Sequence, residues 1–263
     1  MVKLLFSDID GTLINSALTV TPRTRDAIRK QVVTGNIFVP VSARMPQAIM
    51  TVVGQIMQSC PMVAYNGALV LDELGQPLYS KSIASSQAAS ICAYLEQEEK
   101  EIVWNVYSGA NWFYYPGNNI DRVLKEEIVQ LKASPSSVAE VEQLPGVHKI
   151  LLMGQAAALD VAKQNLAKLH PDLFLVKSAP TLLEIMVKKV NKGAGVRILA
   201  EELKVRMDDC WAFGDNYNDA AMLKAVGHPY LMGNAPAELK REFANITLDN
   251  NHDGIAAVLD AVD

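Results

Sequence analysis

The sequence predicts an α/β protein: a core built on a parallel sheet, interrupted by an inserted α+β module with an antiparallel sheet of its own. Two observations carry this. The first third alternates short apolar strands with helical segments, the order of parallel βαβ units. The middle changes to a hairpin pattern beside helices, and the last third returns to strand–helix order.

The elements follow in turn. An apolar strand at 2–7 leads into Asp8-Ile9-Asp10-Gly11-Thr12-Leu13. Thr21-Pro22 supplies a cap and a first-turn proline for a helix at 22–35, with Gly35 as its stop. Ile37 to Val41 is the second strand and closes on Ser42-Ala43-Arg44; a helix follows from Pro46 to Met57. Met62 to Tyr65 is the third strand, ending at Asn66-Gly67-Ala68. Ser86 to Lys100 reads as helix. Glu101–Tyr107 and Trp112–Tyr115 flank Ser108-Gly109-Ala110-Asn111 as a hairpin. A helix at 120–132, a strand at 147–153, a helix at 157–169 and strands at 173–177 and 182–187 complete the module. The tail reads helix 192–204, strand 210–213, helix 218–225, strand 229–232, helix 236–242 and a last helix after Asp253-Gly254. These boundaries give a core of residues 1–82 and 185–263 and an insert of 83–184.

Composition bounds what this chain does. Half of its 263 residues are hydrophobic and one fifth charged, which supports a large core and excludes disorder. No apolar run reaches the ~18 to 20 residues of a spanning helix. The N-terminus enters a strand directly, so no signal peptide is expected. Cys60, Cys92 and Cys210 are widely spaced in apolar contexts and read as reduced core cysteines of a cytoplasmic protein. The net charge of −5 comes with no basic stripe, which argues against nucleic-acid binding.

Candidate chemistry gathers at strand ends, where open α/β sheets bind ligands. In Asp8-Ile9-Asp10 two carboxylates can share the chemistry, one attacking or binding metal while the other moves a proton. Gly11 permits a sharp turn, and Thr12 offers a hydroxyl and an amide to an anion. An acidic turn is the plain alternative, but D-x-D-G-T arises by accident in roughly one of several hundred chains of this length. Trp211-Ala212-Phe213 repeats the layout, ending in Gly214-Asp215-Asn216-Tyr217-Asn218-Asp219. Mg²⁺ prefers hard oxygen ligands and keeps several waters, so Asp8, the Asp10 carbonyl and Asp215 form a candidate ligand set. A helix cap at Asn218 or Asp219 is the competing reading, yet a cap needs only one of these side chains. Ser42 ends a strand before a helix, where a hydroxyl and amides make an anion pocket; an ordinary serine cap fits that position as well. Lys192 opens a helix against its dipole and so needs an anionic partner, or else it is solvated like Lys188 and Lys189. His148, His170, His228 and His252 lack ligand spacing, which counts against zinc and against a Ser-His-Asp site. No Walker or G-x-G-x-x-G loop is present. Trp104, Tyr107, Trp112, Tyr114 and Tyr115 read as core or cross-strand pairs of the insert.

Together these motifs resemble the haloacid dehalogenase-like phosphatases, and within them the Cof-type branch with its large α/β cap. Four motifs stand in the family order across the whole chain: Asp8 to Thr12, Ser42, Lys192, and Gly214 to Asp219. Asn66-Gly67-Ala68, Met232-Gly233-Asn234-Ala235 and Asp253-Gly254-Ile255 are further signatures of the branch. The resemblance implies a three-layer Rossmann-like core and a cap, residues 83–184, that selects the substrate. It implies Asp8 as nucleophile and Asp10 as acid and then base. It implies Mg²⁺ on Asp8, the Asp10 carbonyl and Asp215. Ser42, Lys192 and Asn218, with the amides of Ile9 and Ala43 and with Thr12, would hold the phosphoryl oxygens, and Asp219 would orient Lys192 or a metal-bound water. The expected activity is Mg²⁺-dependent hydrolysis of small phosphorylated metabolites, above all sugar phosphates. A phosphomutase and a non-catalytic sugar-phosphate sensor are the alternatives. Oligomeric state is not legible. The chain departs from the family at Ser42-Ala43-Arg44, where Thr-Gly-Arg is common; Ala43 puts a methyl where backbone approaches phosphate. It departs again at Val187-Lys188-Lys189-Val190, where Pro-Lys-Gly-Val is common.

Overall fold

Most strands and helices form where the apolar pattern places them, in a computed structural model that describes residues 2–116, 126 and 130–261. The strands are β1 (Leu4–Ser7), β2 (Ile37–Pro40), β3 (Met62–Ala64), β4 (Leu69–Leu71), β5 (Pro77–Ser80), β6 (Val103–Ser108), β7 (Asn111–Tyr114), β8 (Ser134–Pro135), β9 (Lys149–Met153), β10 (Leu173–Ala179), β11 (Leu182–Val187), β12 (Cys210–Gly214) and β13 (His228–Leu231). The chain divides into two compact units: Met1–Ser80 with Val190–Asp263, and Lys81–Lys189. The expected boundary at 184 falls inside β11. Pairing of β11 with β9 and β10 keeps the whole strand in the inserted unit.

In the first unit β13, β12, β1 and β2 form a parallel sheet in that order. A parallel bridge between Val41 and Val63 carries the sheet on toward β3. Every residue of β1 and β12 is buried, as strands covered on both faces require. Leu4, Phe6, Val39, Val41, Cys210 and Ala212 pack with Val196, Leu199 and Ala200 of the helix Lys192–Glu202. A fully buried Leu, Val or Phe side chain contributes about 1.5–3 kcal/mol, so this shared layer is a principal source of the unit's stability. That helix comes close because Gly195 has no side chain: a Cβ there would lie 2.5 Å from Val63 Cγ1. The helix Pro22–Val33 begins as expected, with Thr21 accepting from the Thr24 amide and proline in the first turn. The segment 69–80, for which the sequence pattern predicts no element, forms an antiparallel hairpin, β4–β5, paired to β3.

In the inserted unit the strand order is β10-β11-β9-β6-β7-β8, antiparallel except between β7 and β8. Alternate residues of the strands share a face. Trp104, Val106, Ile150, Leu152, Leu183 and Ile185 pack with Ile91 and Leu95 of the helix Ser85–Glu98 and Leu159 and Leu166 of the helix Ala156–Leu169. The expected hairpin is β6–β7, and Tyr107 and Trp112 are its directly opposed, stacked pair at 5.4 Å. Most of the helix expected at 120–132 lies outside the described residues. Among the described residues no helix is long and apolar enough to cross a membrane. Cys60, Cys92 and Cys210 are buried free thiols.

Candidate active site

The first acidic motif hangs from β1, the second from β12, and the two strands are parallel neighbours with Ser7 opposite Phe213. Adjacent parallel strands deliver both loops to the same edge of the sheet. The amide of Asp8 donates to the Phe213 carbonyl at 3.0 Å, extending the ladder into the motif itself. Gly11 then turns the chain with φ of 83°, and a Cβ there would lie 2.5 Å from Asp215 Oδ2. The glycine is needed twice, for its backbone angle and for the side chain it lacks.

Lys192 is the centre of the arrangement. Its side chain is fully buried, and Nζ lies 2.5 Å from Asp8 Oδ1 and 2.5 Å from Asp219 Oδ1. Asn191 caps the helix that starts there, accepting from the Ala194 amide, so Lys192 is presented from the first turn. The solvated alternative therefore fails for this residue, and Lys188 instead donates to the Pro171 carbonyl in the inserted unit. Asp219 has both oxygens engaged: Oδ1 with Lys192, Oδ2 with the amides of Asp215 and Asn216 at 3.0 Å each. Asn216 caps the short turn after β12, and Asp219 stands at the N-cap position of the helix Ala220–Leu223 without a capping bond from its side chain; Asn218 is exposed on the same loop.

Carboxylate oxygens of Asp8, Asp215 and Asp219 lie within 4.8 Å of one another, against the single ammonium of Lys192. The imbalance is visible in their acidities. Burial pushes Asp8 well above the ordinary carboxylate range, against the pull of Lys192. Burial raises Asp215 to about 6, partly offset by the Thr12 hydrogen bond and reinforced by Asp219. Burial works against charge on Lys192, but Asp8 and Asp219 outweigh it and hold the ammonium above its usual range. A cluster of hard oxygens with excess negative charge suits Mg²⁺ and offers no soft ligand for zinc or copper. Asp219 spends Oδ2 on two backbone amides of its own loop and Oδ1 on Lys192, so Asp8 and Asp215 are the side chains better placed to hold a cation.

Other expected residues fall into place differently. Ser42 is buried; its amide donates to Val63 and its Oγ accepts from the Arg44 amide at 3.2 Å. It is not a helix cap, because the following helix begins at Pro46 with Met45 as N-cap. Ile9 is buried and Ala43 half-buried on the neighbouring loops. Thr12, expected to face an anion, is a correction: its hydroxyl donates to Asp215 Oδ1 at 2.9 Å and its amide to the Ile9 carbonyl, so it orients a carboxylate. Asp10 is turned to Arg44, which grips it through Nη2 at 2.6 Å and Nε at 2.9 Å.

A family profile described as haloacid dehalogenase-like hydrolase matches residues 5–259. The chain belongs to that family. This haloacid dehalogenase-like hydrolase is 33% identical over 260 residues to a Haemophilus influenzae protein named "Putative phosphatase", covering 99% of this chain and 98% of the relative. It is 25% identical over 264 residues to the HMP-PP phosphatase of Klebsiella pneumoniae, covering 98% and 95% of the two chains. The crystal structure of TM0651 from Thermotoga maritima superposes with a TM-score of 0.91 at 27% identity, over 100% of this chain and 98% of that one.

Two residues that bond to the acidic loops cannot be picked out from sequence alone. Arg44 stands there only as the end of the Ser42-Ala43-Arg44 motif, and Asn234 only as part of a signature. Both act across long stretches of sequence, on residues 34 and 223 positions away. Their motifs are visible; their partners depend on the fold.

Proposed function

We propose that this phosphatase hydrolyses small phosphorylated metabolites, with sugar phosphates as the first class, in a Mg²⁺-dependent reaction through a phosphoryl group carried on Asp8. The observation that carries the reading is the buried triad in which Lys192 bridges Asp8 and Asp219, with Asp215 beside them. A non-catalytic binder has no use for a carboxylate and an acid–base partner two residues apart. The inserted unit is the element we assign to substrate choice.

Mg²⁺ would be held by Asp8, the Asp10 carbonyl and Asp215, and when bound it supplies positive charge against both the carboxylates and the phosphate. The protein's own steps are these. Lys192, fixed by Asp219, keeps the Asp8 carboxylate oriented and offers its ammonium to a phosphoryl oxygen. Asp8 attacks phosphorus in line; the bond from phosphorus to the leaving oxygen breaks, and Asp10 gives that oxygen its proton. Asp10 then takes a proton from water, whose oxygen attacks phosphorus and breaks the bond to Asp8, releasing phosphate. Ser42, Asn218 and the amides of Ile9 and Ala43 are the groups assigned to the remaining phosphoryl oxygens. Electrostatic preorganisation supplies most of the acceleration, because the like-charged reactants must meet in a buried site.

The test is phosphate release by purified protein from an aryl phosphate with and without Mg²⁺, followed by a screen of sugar phosphates and of HMP-PP. Asp8→Asn should lower release by at least about a thousandfold while circular dichroism stays unchanged. Retained turnover in that variant would refute the nucleophile, and an isomerised product without free phosphate would replace hydrolysis by a mutase reaction.

A further inference from the structure

The segment Met232-Gly233-Asn234-Ala235 has no part in the chemistry above, yet it touches the site. It follows β13 directly. The single side-chain amide of Asn234 reaches two acceptors, the Gly11 carbonyl at 2.8 Å and Asp215 Oδ2 at 3.3 Å. An amide nitrogen carries two hydrogens, so it can serve both at once. Thr12 holds the other oxygen, Oδ1, at 2.9 Å. Donors from two separate segments thus grip the two oxygens of Asp215 and set the plane of its carboxylate.

Asn234 is itself braced. Its Oδ1 accepts from the Asn250 amide at 3.3 Å, and Asn250 Nδ2 donates to the Ile14 carbonyl at 2.9 Å. Nearby, Asn251 Oδ1 accepts from the Ser16 amide at 3.0 Å. Three asparagines of the last third therefore bind the loop that carries Asp8 and Asp10. Without such a hold, a carboxylate facing Asp8 and Asp219 would be free to turn away from like charge.

We propose that Asn234 is a positioning residue for Asp215, fixing the carboxylate against Gly11 in the orientation in which it meets a divalent cation. This rests on the metal reading of the site given above. Groups that orient a ligand through one hydrogen bond typically change metal affinity by about 10- to 100-fold when removed. Asn234 is exposed, so its truncation leaves no buried cavity.

The experiment is Mn²⁺ binding by electron paramagnetic resonance to the purified full chain, as wild type, Asn234→Ala and Asn250→Ala, paired with the Mg²⁺ dependence of phosphate release. Asn234→Ala should weaken Mn²⁺ binding about tenfold and raise the half-activating Mg²⁺ concentration by the same factor. Raising Mg²⁺ should restore part of the lost rate, the mark of a weakened ligand rather than a damaged fold. Asn250→Ala, which removes only the side-chain bond to Ile14, should bind Mn²⁺ as wild type does. If Asn234→Ala does not fold, Asn234→Ser makes the same comparison, since its shorter hydroxyl cannot serve both acceptors. Wild-type affinity in the Asn234 variant, or an equal loss in the Asn250 variant, would overturn the proposal alone. A wild type that binds no Mn²⁺ would overturn the metal reading and the proposal together.

Discussion

The guanidinium of Arg44 forks onto the carboxylate of Asp10, with Nη2 at 2.6 Å from Oδ1 and Nε at 2.9 Å from Oδ2. Arg44 is itself anchored at its backbone, its amide bonded to Ser42 Oγ and its carbonyl to the Tyr65 amide. The fork keeps Asp10, the proposed acid, in one orientation. Only a planar guanidinium offers two parallel donors. Arg44→Lys should therefore behave almost like Arg44→Gln: kcat falls by about tenfold in both, from misplacement of the proton-transfer group. The ion pair itself should contribute less than about 1 kcal/mol to stability, because the Asp10 side chain is 56% exposed. Steady-state kinetics and urea melts separate the two effects; wild-type kcat in the glutamine variant would remove Arg44 from the reaction.

Lys192 makes a sharper prediction. It is a charge with no solvent exposure, held between two carboxylates that are themselves buried. Removing one member of a buried ionic cluster leaves the others uncompensated and costs about 3–5 kcal/mol. Lys192→Met should lose turnover and be destabilised by that amount in EDTA, as measured by urea denaturation. Adding Asp219→Asn should recover part of the loss, since one excess carboxylate is then gone. A double variant no more stable than the single one would show that charge imbalance is not the cause.

The pattern of legibility follows from range. Asp8, Asp10, Asp215 and Lys192 stand out in the sequence because each motif is contiguous and sits at the end of a strand or the start of a helix, where local signals are strongest. Thr12 meets a different partner from the expected anion because the sequence shows that a hydroxyl is present, not which oxygen it meets; the β1–β12 neighbourhood brings Asp215 to it first. The β4–β5 hairpin is not legible although Asp72 and Gly75 mark its turn. Leu69–Leu71 is an apolar run of three residues with no alternation, and β5 is exposed to half-exposed, so neither strand shows a period. After β12 the pattern predicts a helix at 218–225, whereas a 3-10 turn at Tyr217–Asp219 precedes a helix of only Ala220–Leu223. Asp219 is the reason: its Oδ2 is spent closing the loop back onto Asp215 and Asn216.

Gly11 tests how tightly the two acidic loops fit. Its φ of 83° is unfavourable for alanine, and the new methyl would stand 2.5 Å from Asp215 Oδ2. Backbone strain of this kind costs on the order of 1–3 kcal/mol. Gly11→Ala should be less stable by about that amount and should also bind Mn²⁺ more weakly, because the displaced group is Asp215. Gly35 has a similar φ of 93° with nothing within 4 Å of a built Cβ, so Gly35→Ala carries the strain without the collision. If both variants bind Mn²⁺ equally well, the contact with Asp215 has no bearing on the site.

His148, in the inserted unit, supplies a pH dependence of its own. It is 6% exposed, immediately precedes β9, and its Nδ1 accepts from the Gly109 amide at 3.0 Å in the β6–β7 turn. Burial lowers its pKa from 6.5 to about 4. The unfolded chain therefore takes up a proton at a pH where the folded one does not. Stability from this residue is fully present above about 6.5 and is lost progressively as pH falls to about 4, a change of roughly 3 kcal/mol in all. Urea titrations followed by tryptophan fluorescence report on the inserted unit, where Trp104 and Trp112 are two of the three tryptophans. The midpoint should drop between pH 7.5 and pH 4.5 in wild type. His148→Asn places an amide oxygen where Nδ1 accepts and does not titrate, so its midpoint should fall less over the same range. Equal slopes for the two proteins would mean that the acid sensitivity lies elsewhere.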